Sequence, residues 1–284
     1  MAMACPICGK TDRVEVLTSK SEEQAGHGAW SCGYCHHAWR TEPWRLTDPV
    51  EFFRKASYTK IENAERLDAT KMKLFEKFLQ WANEVKPQPP RTMVDFGCSY
   101  GTVTEMFKKD GWDVMGIEIS PTAQKILNER NLPWAASLED SGLTLGSVDV
   151  VVMSDCSYYL PDPVGTLRTI RSYMQPNGLL FLRQPTRGGL VRLLLGISRK
   201  KALANKLWLD HVHLFSRRST ILVLKQAGFC DVKFLKEKDF RRSLKGEIIH
   251  RLLRAADFVT LGFFDLTLSW TVIAKAEKNV NIGH

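Results

Sequence analysis

Two short patterns hold residue types that could do chemistry. Cys5-Pro6-Ile7-Cys8 and Cys32-Gly33-Tyr34-Cys35 are Cys-x-x-Cys knuckles with 23 residues between them. Four thiolates at that spacing suit a tetrahedral zinc ion, each knuckle turning backbone amides toward its sulfurs to offset their charge. Redox-active iron or a thiol pair is the other chemistry open to them. His36 and His37 follow the last cysteine and could replace a ligand, but read first as surface residues, because four cysteines already close a zinc shell.

The second pattern is Val94-Asp95-Phe96-Gly97-Cys98-Ser99-Tyr100-Gly101, a strand running into a glycine turn and then a helix. Glycines there let a backbone approach a ligand closely. A dinucleotide site would carry Gly-x-Gly-x-x-Gly for a pyrophosphate. This turn has Gly-x-x-x-Gly with Asp95 two residues before it, and a carboxylate repels phosphate but suits a ligand bearing an ammonium and a sulfonium, as S-adenosylmethionine does. Glu118, about twenty residues on, ends the next strand, where a carboxylate can accept from both hydroxyls of a ribose.

These patterns need elements to hold them. Residues 1–45, rich in Cys, Gly and His and without helical period, read as a ribbon of short strands and knuckles whose folding energy would come from metal. Residues 46–88 read as a helical linker or cap, since Leu67, Leu74, Phe75, Phe78, Leu79 and Ala82 recur at helical spacing until the Pro87 to Pro90 cluster. Over 89–284, apolar runs alternate with helical stretches, the pattern of a parallel sheet with crossover helices. Strands are predicted at Thr92 to Phe96, Asp113 to Ile119, Val148 to Met153, Leu179 to Arg183, Val232 to Leu235 and Ser269 to Lys275. Helices are predicted at Val103 to Lys109, Pro121 to Arg130, Val164 to Met174 and Arg218 to Ala227, with Pro176-Asn177-Gly178 as a turn.

With 284 residues, 44% of them hydrophobic, the chain can bury a full core beside a smaller unit. It shows neither an apolar run long enough to span a membrane nor the flanks of a secretory signal, so a cytoplasmic protein is expected, possible contact with the inner membrane surface aside. Seven cysteines, an odd number, suit metal ligation better than a disulfide framework and leave Cys98, Cys156 and Cys230 as free thiols. The net charge of +9 is concentrated: Arg183 to Arg254 holds 18 Lys and Arg against 5 Asp and Glu, so an anionic partner should meet the C-terminal third.

The chain resembles the class I S-adenosylmethionine-dependent methyltransferases, in a bacterial small-molecule or glycan branch with a cysteine-rich N-terminal segment. Val94 to Gly101 is similar to the family's first motif and Val114 to Ser120 to its acidic second strand. Ala136 to Asp140 sits at the adenine loop, and Leu160-Pro161-Asp162-Pro163 resembles the segment after the fourth strand. Asp210 to Ser216, followed by Gln226 to Phe229, resembles a late motif of that branch. The resemblance implies an α/β fold: a Rossmann-like seven-stranded sheet with helices on both faces, plus the ribbon. It implies that Asp95, Gly97 and Gly101 hold the methionine end, Glu118 the ribose, and Ser137 and Leu138 the adenine, with Cys98, Ile119 and Asp155 also at the cofactor. Cys5, Cys8, Cys32 and Cys35 would bind structural zinc.

Methyl transfer chiefly requires a nucleophile positioned against the methyl, and an oxygen or nitrogen acceptor may also need a base. Related sequences carry Glu-His just before the Leu-Pro-Asp-Pro-like segment, where this chain has Tyr158-Tyr159. His211 is therefore the favoured base, with His213 its alternate and Tyr159 a further candidate, although a histidine in such a place can equally be a structural hydrogen-bonding residue. Tyr100 could cover the cofactor or simply pack. Residues 188–209 and 244–264 mix apolar and basic residues and read either as helices packed on the sheet with solvated basic faces or as cap insertions, around 187–210 and 240–264, over an anionic or lipid-linked acceptor. The expected acceptor is a small molecule or glycan: a sugar, sugar nucleotide or lipid-linked saccharide. The alternatives are a ribosomal or transfer RNA, given the ribbon and the basic third, and a non-catalytic adaptor.

Overall fold

A computed structural model describes residues 3–12, 14–16, 28–41, 61–185, 211–235 and 269–277. Among these residues the strands are β1 (Val14–Val16), β2 (Gly28–Cys32), β3 (Ala38–Thr41), β4 (Thr92–Phe96), β5 (Asp113–Ile117), β6 (Trp134–Ala135), β7 (Val148–Ser154), β8 (Met174–Pro185), β9 (His213–Leu214), β10 (Phe229–Leu235) and β11 (Ser269–Ala276). The helices are α1 (Ile61–Val85), α2 (Thr102–Lys109), α3 (Pro121–Glu129), α4 (Pro163–Tyr173) and α5 (Arg217–Gln226).

Seven strands form one sheet in the order β10-β11-β8-β7-β4-β5-β6. Pairings among β8, β7, β4, β5 and β6 are parallel, and β11 runs antiparallel between β8 and β10. The period of two along buried strands assigns alternate residues to opposite faces. Met93, Val150, Val152, Leu179 and Phe181 pack under α1 and α2 with Leu74, Phe75, Phe78, Val103 and Phe107. Val94, Val151, Met153, Leu180 and Leu182 pack under α4 and α5 with Leu167, Ile170, Val223 and Leu224. The predicted α/β architecture, with helices on both faces, is thus observed.

A second sheet has the order β1-β2-β3-β9. Its last strand comes from His213–Leu214, within the late motif, and pairs with Ala38 and Trp39. Cys5, Ile7, Trp30, Cys32, Cys35 and Trp39 join the same apolar cluster as the α4 and α5 face, so ribbon and body share a core.

Several boundaries differ from expectation. The strand predicted to run to Ile119 ends at Ile117, although the Glu118 amide still donates to the Ala135 carbonyl of β6 (3.0 Å). Pro176-Asn177-Gly178, predicted as a turn, lies inside β8; Asn177 takes φ 65 and a register shift between Val148 and Val150 absorbs the irregularity. His37, read as a surface residue, is fully buried, because Phe215 and His213 from the far end of the chain cover it. The cap insertions predicted around 187–210 and 240–264 lie outside the described residues. Among the described residues no helix is long and apolar enough to cross a membrane.

Candidate active site and metal centre

Sheet order reverses at β4: the chain leaves β4 toward β5 and β6 on one side and returns to β7 and β8 on the other. The turns after β4 and β7 diverge there and leave a crevice at the strands' carboxyl ends, the place where open α/β sheets bind ligands. A cavity of about 680 Å3 occupies that crevice. Asp95 to Tyr100 line it from the turn after β4, Ile117 to Ser120 after β5, Ala136 to Glu139 after β6, and Ser154 to Cys156 with Tyr158 to Asp162 after β7. His211, Lys71 and Phe75 also contribute to the wall, with residues of α2, α3 and α4.

Most of the residues picked from sequence meet here. Asp95, Gly97, Cys98, Glu118, Ile119, Ser137, Leu138, Asp155, Tyr159 and His211 all line the cavity. Asp95 is buried, and its Oδ2 accepts from the amide (3.1 Å) and the hydroxyl (2.9 Å) of Thr104. It thereby caps α2, whose N-cap, Gly101, has no side chain to do so. Glu118 accepts from the Ser99 amide at one oxygen (2.8 Å) and from the Ser120 amide at the other (2.7 Å). Burial raises its pKa, and those same amides oppose the shift.

The two glycines also have a packing role. Gly101, which is not in the cavity wall, has φ 81, and a Cβ there would stand 2.5 Å from Leu132 Cδ1 and 2.7 Å from Leu127 Cδ2. Gly97 has φ 73, and its Cβ would meet the Cβ of Cys156 at 2.8 Å. Both positions need glycine for a left-handed backbone and for contact with the protein's own side chains. Ser99 (φ 51) and Asp155 (φ 59) share that left-handed region without glycine's freedom, so the turns after β4 and β7 each carry backbone strain.

Lys71 was missed from sequence. Its Nζ lies 2.5 Å from Asp155 Oδ2, and Arg183 bonds both Asp155 oxygens, forming a partly buried ion cluster that ties α1 and β8 to the cavity floor. Burial pushes the Asp155 carboxyl up, but Arg183 and Lys71 together outweigh it and hold the pKa below its ordinary value. Phe75 is found by the helical period that identified α1, whereas no local signal marks Lys71. His213, the alternate base, lies outside the cavity wall: Nε2 is 3.0 Å from the Leu160 carbonyl and Nδ1 is 3.0 Å from His37 Nε2. His211 lines the cavity beside Tyr158 and Tyr159, with ring centroids 4.1 and 6.1 Å away.

Three hydroxyls of cavity-lining residues, Tyr100 OH, Ser120 Oγ and Ser154 Oγ, are buried without a hydrogen-bond partner among the described residues. Leaving a buried hydroxyl unpaired is unfavourable, so this wall fits a polar ligand. The volume, the buried carboxylates and the spare hydroxyls together fit a cationic nucleoside.

The four cysteine sulfurs lie within 4.8 Å of one another. Cys5 to Cys35 and Cys8 to Cys32 are 3.6 Å apart, too long for disulfides and close to the edge, about 3.8 Å, of a tetrahedron with metal–sulfur bonds of about 2.3 Å. The hydrogen bond with Cys35 lowers the Cys5 thiol to about 5 and pushes Cys35 up, while burial raises Cys8 to about 11. So crowded a set ionises fully only around a cation, and the donors fit zinc.

Residues 63–233 match the family profile described as a methyltransferase domain. The ubiquinone biosynthesis O-methyltransferase of Ralstonia nicotianae is 25% identical over 133 residues, covering 44% of this chain and 56% of that protein. Its counterpart in Xanthomonas campestris pv. campestris is 28% identical over 102 residues, covering 33% and 43%. The chain thus spans about half the length of the curated relatives it matches. Haemonchus contortus phosphoethanolamine N-methyltransferase 2, solved with phosphomonomethylethanolamine and S-adenosylhomocysteine, has a TM-score of 0.53 at 13% identity, covering 80% of this chain and 60% of that one. A SAM-dependent methyltransferase of Thermotoga maritima gives 0.50 at 16% identity, covering 78% and 98%. At these identities the likeness to solved structures is one of fold. With the profile spanning more than half of its length, this chain belongs to the methyltransferase domain family.

Proposed function

We propose that this chain is an S-adenosylmethionine-dependent methyltransferase acting on a small-molecule acceptor. The observation that carries the reading is the cavity at the point of strand-order reversal, floored by the glycine turn and flanked by the buried carboxylates of Asp95 and Glu118. When bound, S-adenosylmethionine supplies a methyl group activated by its sulfonium. Glu118 would hold the ribose hydroxyls through lone pairs left over from the Ser99 and Ser120 amides, with Ile119 beside it. Asp95 would offset the positive charge of the methionine end, and Ser137 with Leu138 would bound the adenine.

On the acceptor side, His211 is the proposed base, its ring set against Tyr158 and Tyr159. It would take the proton of an acceptor hydroxyl as the oxygen–methyl bond forms. An aromatic or quinol-like hydroxyl compound suits these rings, and the ubiquinone-related names of the curated relatives support that class. Support for a sugar or lipid-linked acceptor rests on residues 188–209, in sequence alone. Burial of the knuckle residues Cys5, Ile7, Cys32 and Cys35 in the common core counts against the ribbon as an RNA reader. We assign zinc to Cys5, Cys8, Cys32 and Cys35, with a structural role for the unit of residues 1–45; residues 89–284 then form the catalytic domain.

Calorimetry with S-adenosylhomocysteine, followed by labelled-methyl transfer to phenols, quinols, sugar nucleotides and total RNA, tests the reading. Micromolar cofactor binding with transfer to a small hydroxyl compound is expected. Binding without any transfer would favour an adaptor, and transfer to RNA with steep salt dependence would favour the nucleic-acid reading. Bound zinc near one equivalent in the purified protein is the expected metal content.

A further inference from the structure

We infer that the four-cysteine ribbon is a supporting wall of the acceptor half of this active site, and that His213 is the positioning residue that fastens the two together. The inference rests on the cavity being the site of methyl transfer. Its groundwork is the hydrogen-bond pattern around residues 211–216.

The Val212 carbonyl accepts from the amide of Arg40 in the ribbon (2.9 Å), while the Val212 amide donates to the carbonyl of Tyr158 in the cavity wall (3.1 Å). One residue thus bridges the two units through its backbone. His213 repeats the bridge with its side chain. A carbonyl can only accept, so Nε2 must carry the proton it gives to Leu160, and Nδ1 of the neutral ring then accepts from His37 Nε2–H. Burial keeps His213 neutral, with a pKa lowered to about 4. A third tie runs from the Ser216 hydroxyl to the carbonyl of Cys35, at 2.6 Å.

The segment that these bonds fix to the ribbon carries His211, two residues before His213, into the cavity against Tyr158. A shift of the knuckle around Cys35 therefore moves both the proposed base and the rings that would seat the acceptor. The cofactor half is held separately, by the bonds of Glu118 to Ser99 and Ser120 and of Asp95 to Thr104. A ribbon serving only as an independent recognition module would need none of the ties at 212, 213 and 216.

Hydrogen–deuterium exchange on the full chain tests the inference without any acceptor. Zinc-replete wild type, wild type stripped with a chelator, His213→Leu and His213→Gln are compared, with metal content measured on each. In metal-replete His213→Leu, amides of 158–160 and 211–214 should exchange about tenfold faster, the loss expected for one missing hydrogen bond, while 97–104 keep wild-type rates. S-adenosylhomocysteine affinity should stay within about twofold. Chelated wild type should show the same pattern, and His213→Gln, which retains a donor for Leu160, a smaller one. Unchanged exchange at 158–160 and 211–214 would overturn the inference, as would loosening spread equally to 97–104. If His213→Leu does not fold, His213→Gln and the chelated protein decide on the same criteria. Failure of wild type to bind S-adenosylhomocysteine would instead sink the cofactor reading, and the exchange comparison would be judged independently.

Discussion

Glu118 and Ser99 are joined by a 2.8 Å hydrogen bond from the Ser99 amide to Oε2, so the acid after β5 and the turn after β4 form one unit. The other oxygen holds the Ser120 amide. Glu118→Ala should weaken S-adenosylhomocysteine binding by about 1–3 kcal/mol. Glu118→Gln should be nearly as damaging, because its amide group must turn a donor toward one of two backbone donors. Calorimetry on both variants checks this, and wild-type affinity in Glu118→Gln would show that the charge and the second acceptor are dispensable.

Gly101→Ala should lower stability by about 2–4 kcal/mol, from a left-handed backbone and from overlap with Leu127 and Leu132. Leu132→Ala in the same chain should recover part of that loss, because it relieves the overlap but not the backbone strain. Urea unfolding midpoints measure both. A stable Gly101→Ala protein that no longer bound S-adenosylhomocysteine would move this glycine from packing to ligand contact.

Asp155→Asn would leave the Lys71 and Arg183 charges without their common partner. A loss of about 1–3 kcal/mol is expected for breaking a partly buried cluster of this kind. Adding Lys71→Met should make the double variant more stable than Asp155→Asn alone, since only one cation then remains. Denaturant titration of the three proteins gives the coupling directly.

His211→Phe keeps an aromatic ring beside Tyr158 but cannot take a proton. With a hydroxyl acceptor, kcat should fall by about 100- to 10,000-fold while S-adenosylhomocysteine affinity holds. Wild-type kcat in this variant would remove His211 from the role of base.

His213 makes stability depend on acid. Desolvation lowers its pKa to about 4, partly opposed by the Leu160 carbonyl and Asp162, whereas the unfolded chain titrates near 6.5. The unfolded state therefore binds the proton first on acidification. Stability is complete above about pH 6.5 and falls as pH drops toward 4, by about 3 kcal/mol at the lower end. Urea unfolding of wild type and His213→Leu between pH 7 and 4.5 should show a steeper decline for wild type, and parallel declines would exclude His213 as the cause.

How legible all this was depended on distance along the chain. Strands β4, β5 and β7 are apolar runs whose burial on both faces shows in residue type, with Asp95 near the end of β4 and Glu118 directly after β5. The two-residue strands β6 and β9 are too short for any period to show. His37 looked exposed because its cover, His213, lies 176 residues away, and Lys71 had no local mark because its partners are Asp155 and Arg183. The glycine turn was recognised, but the packing behind Gly101 was not legible, because the side chains that crowd a Cβ there, Leu127 and Leu132, lie a helix further along the chain.

The order β1-β2-β3-β9 has a consequence for synthesis. A ribosome releases the first three strands long before His213–Leu214 emerge, so the nascent N-terminus must wait with the outer edge of β3 uncovered. An open edge is a template for pairing with any passing strand. Fragments ending before residue 211 should therefore self-associate even when loaded with zinc, while the chain that includes His213–Leu214 stays dispersed.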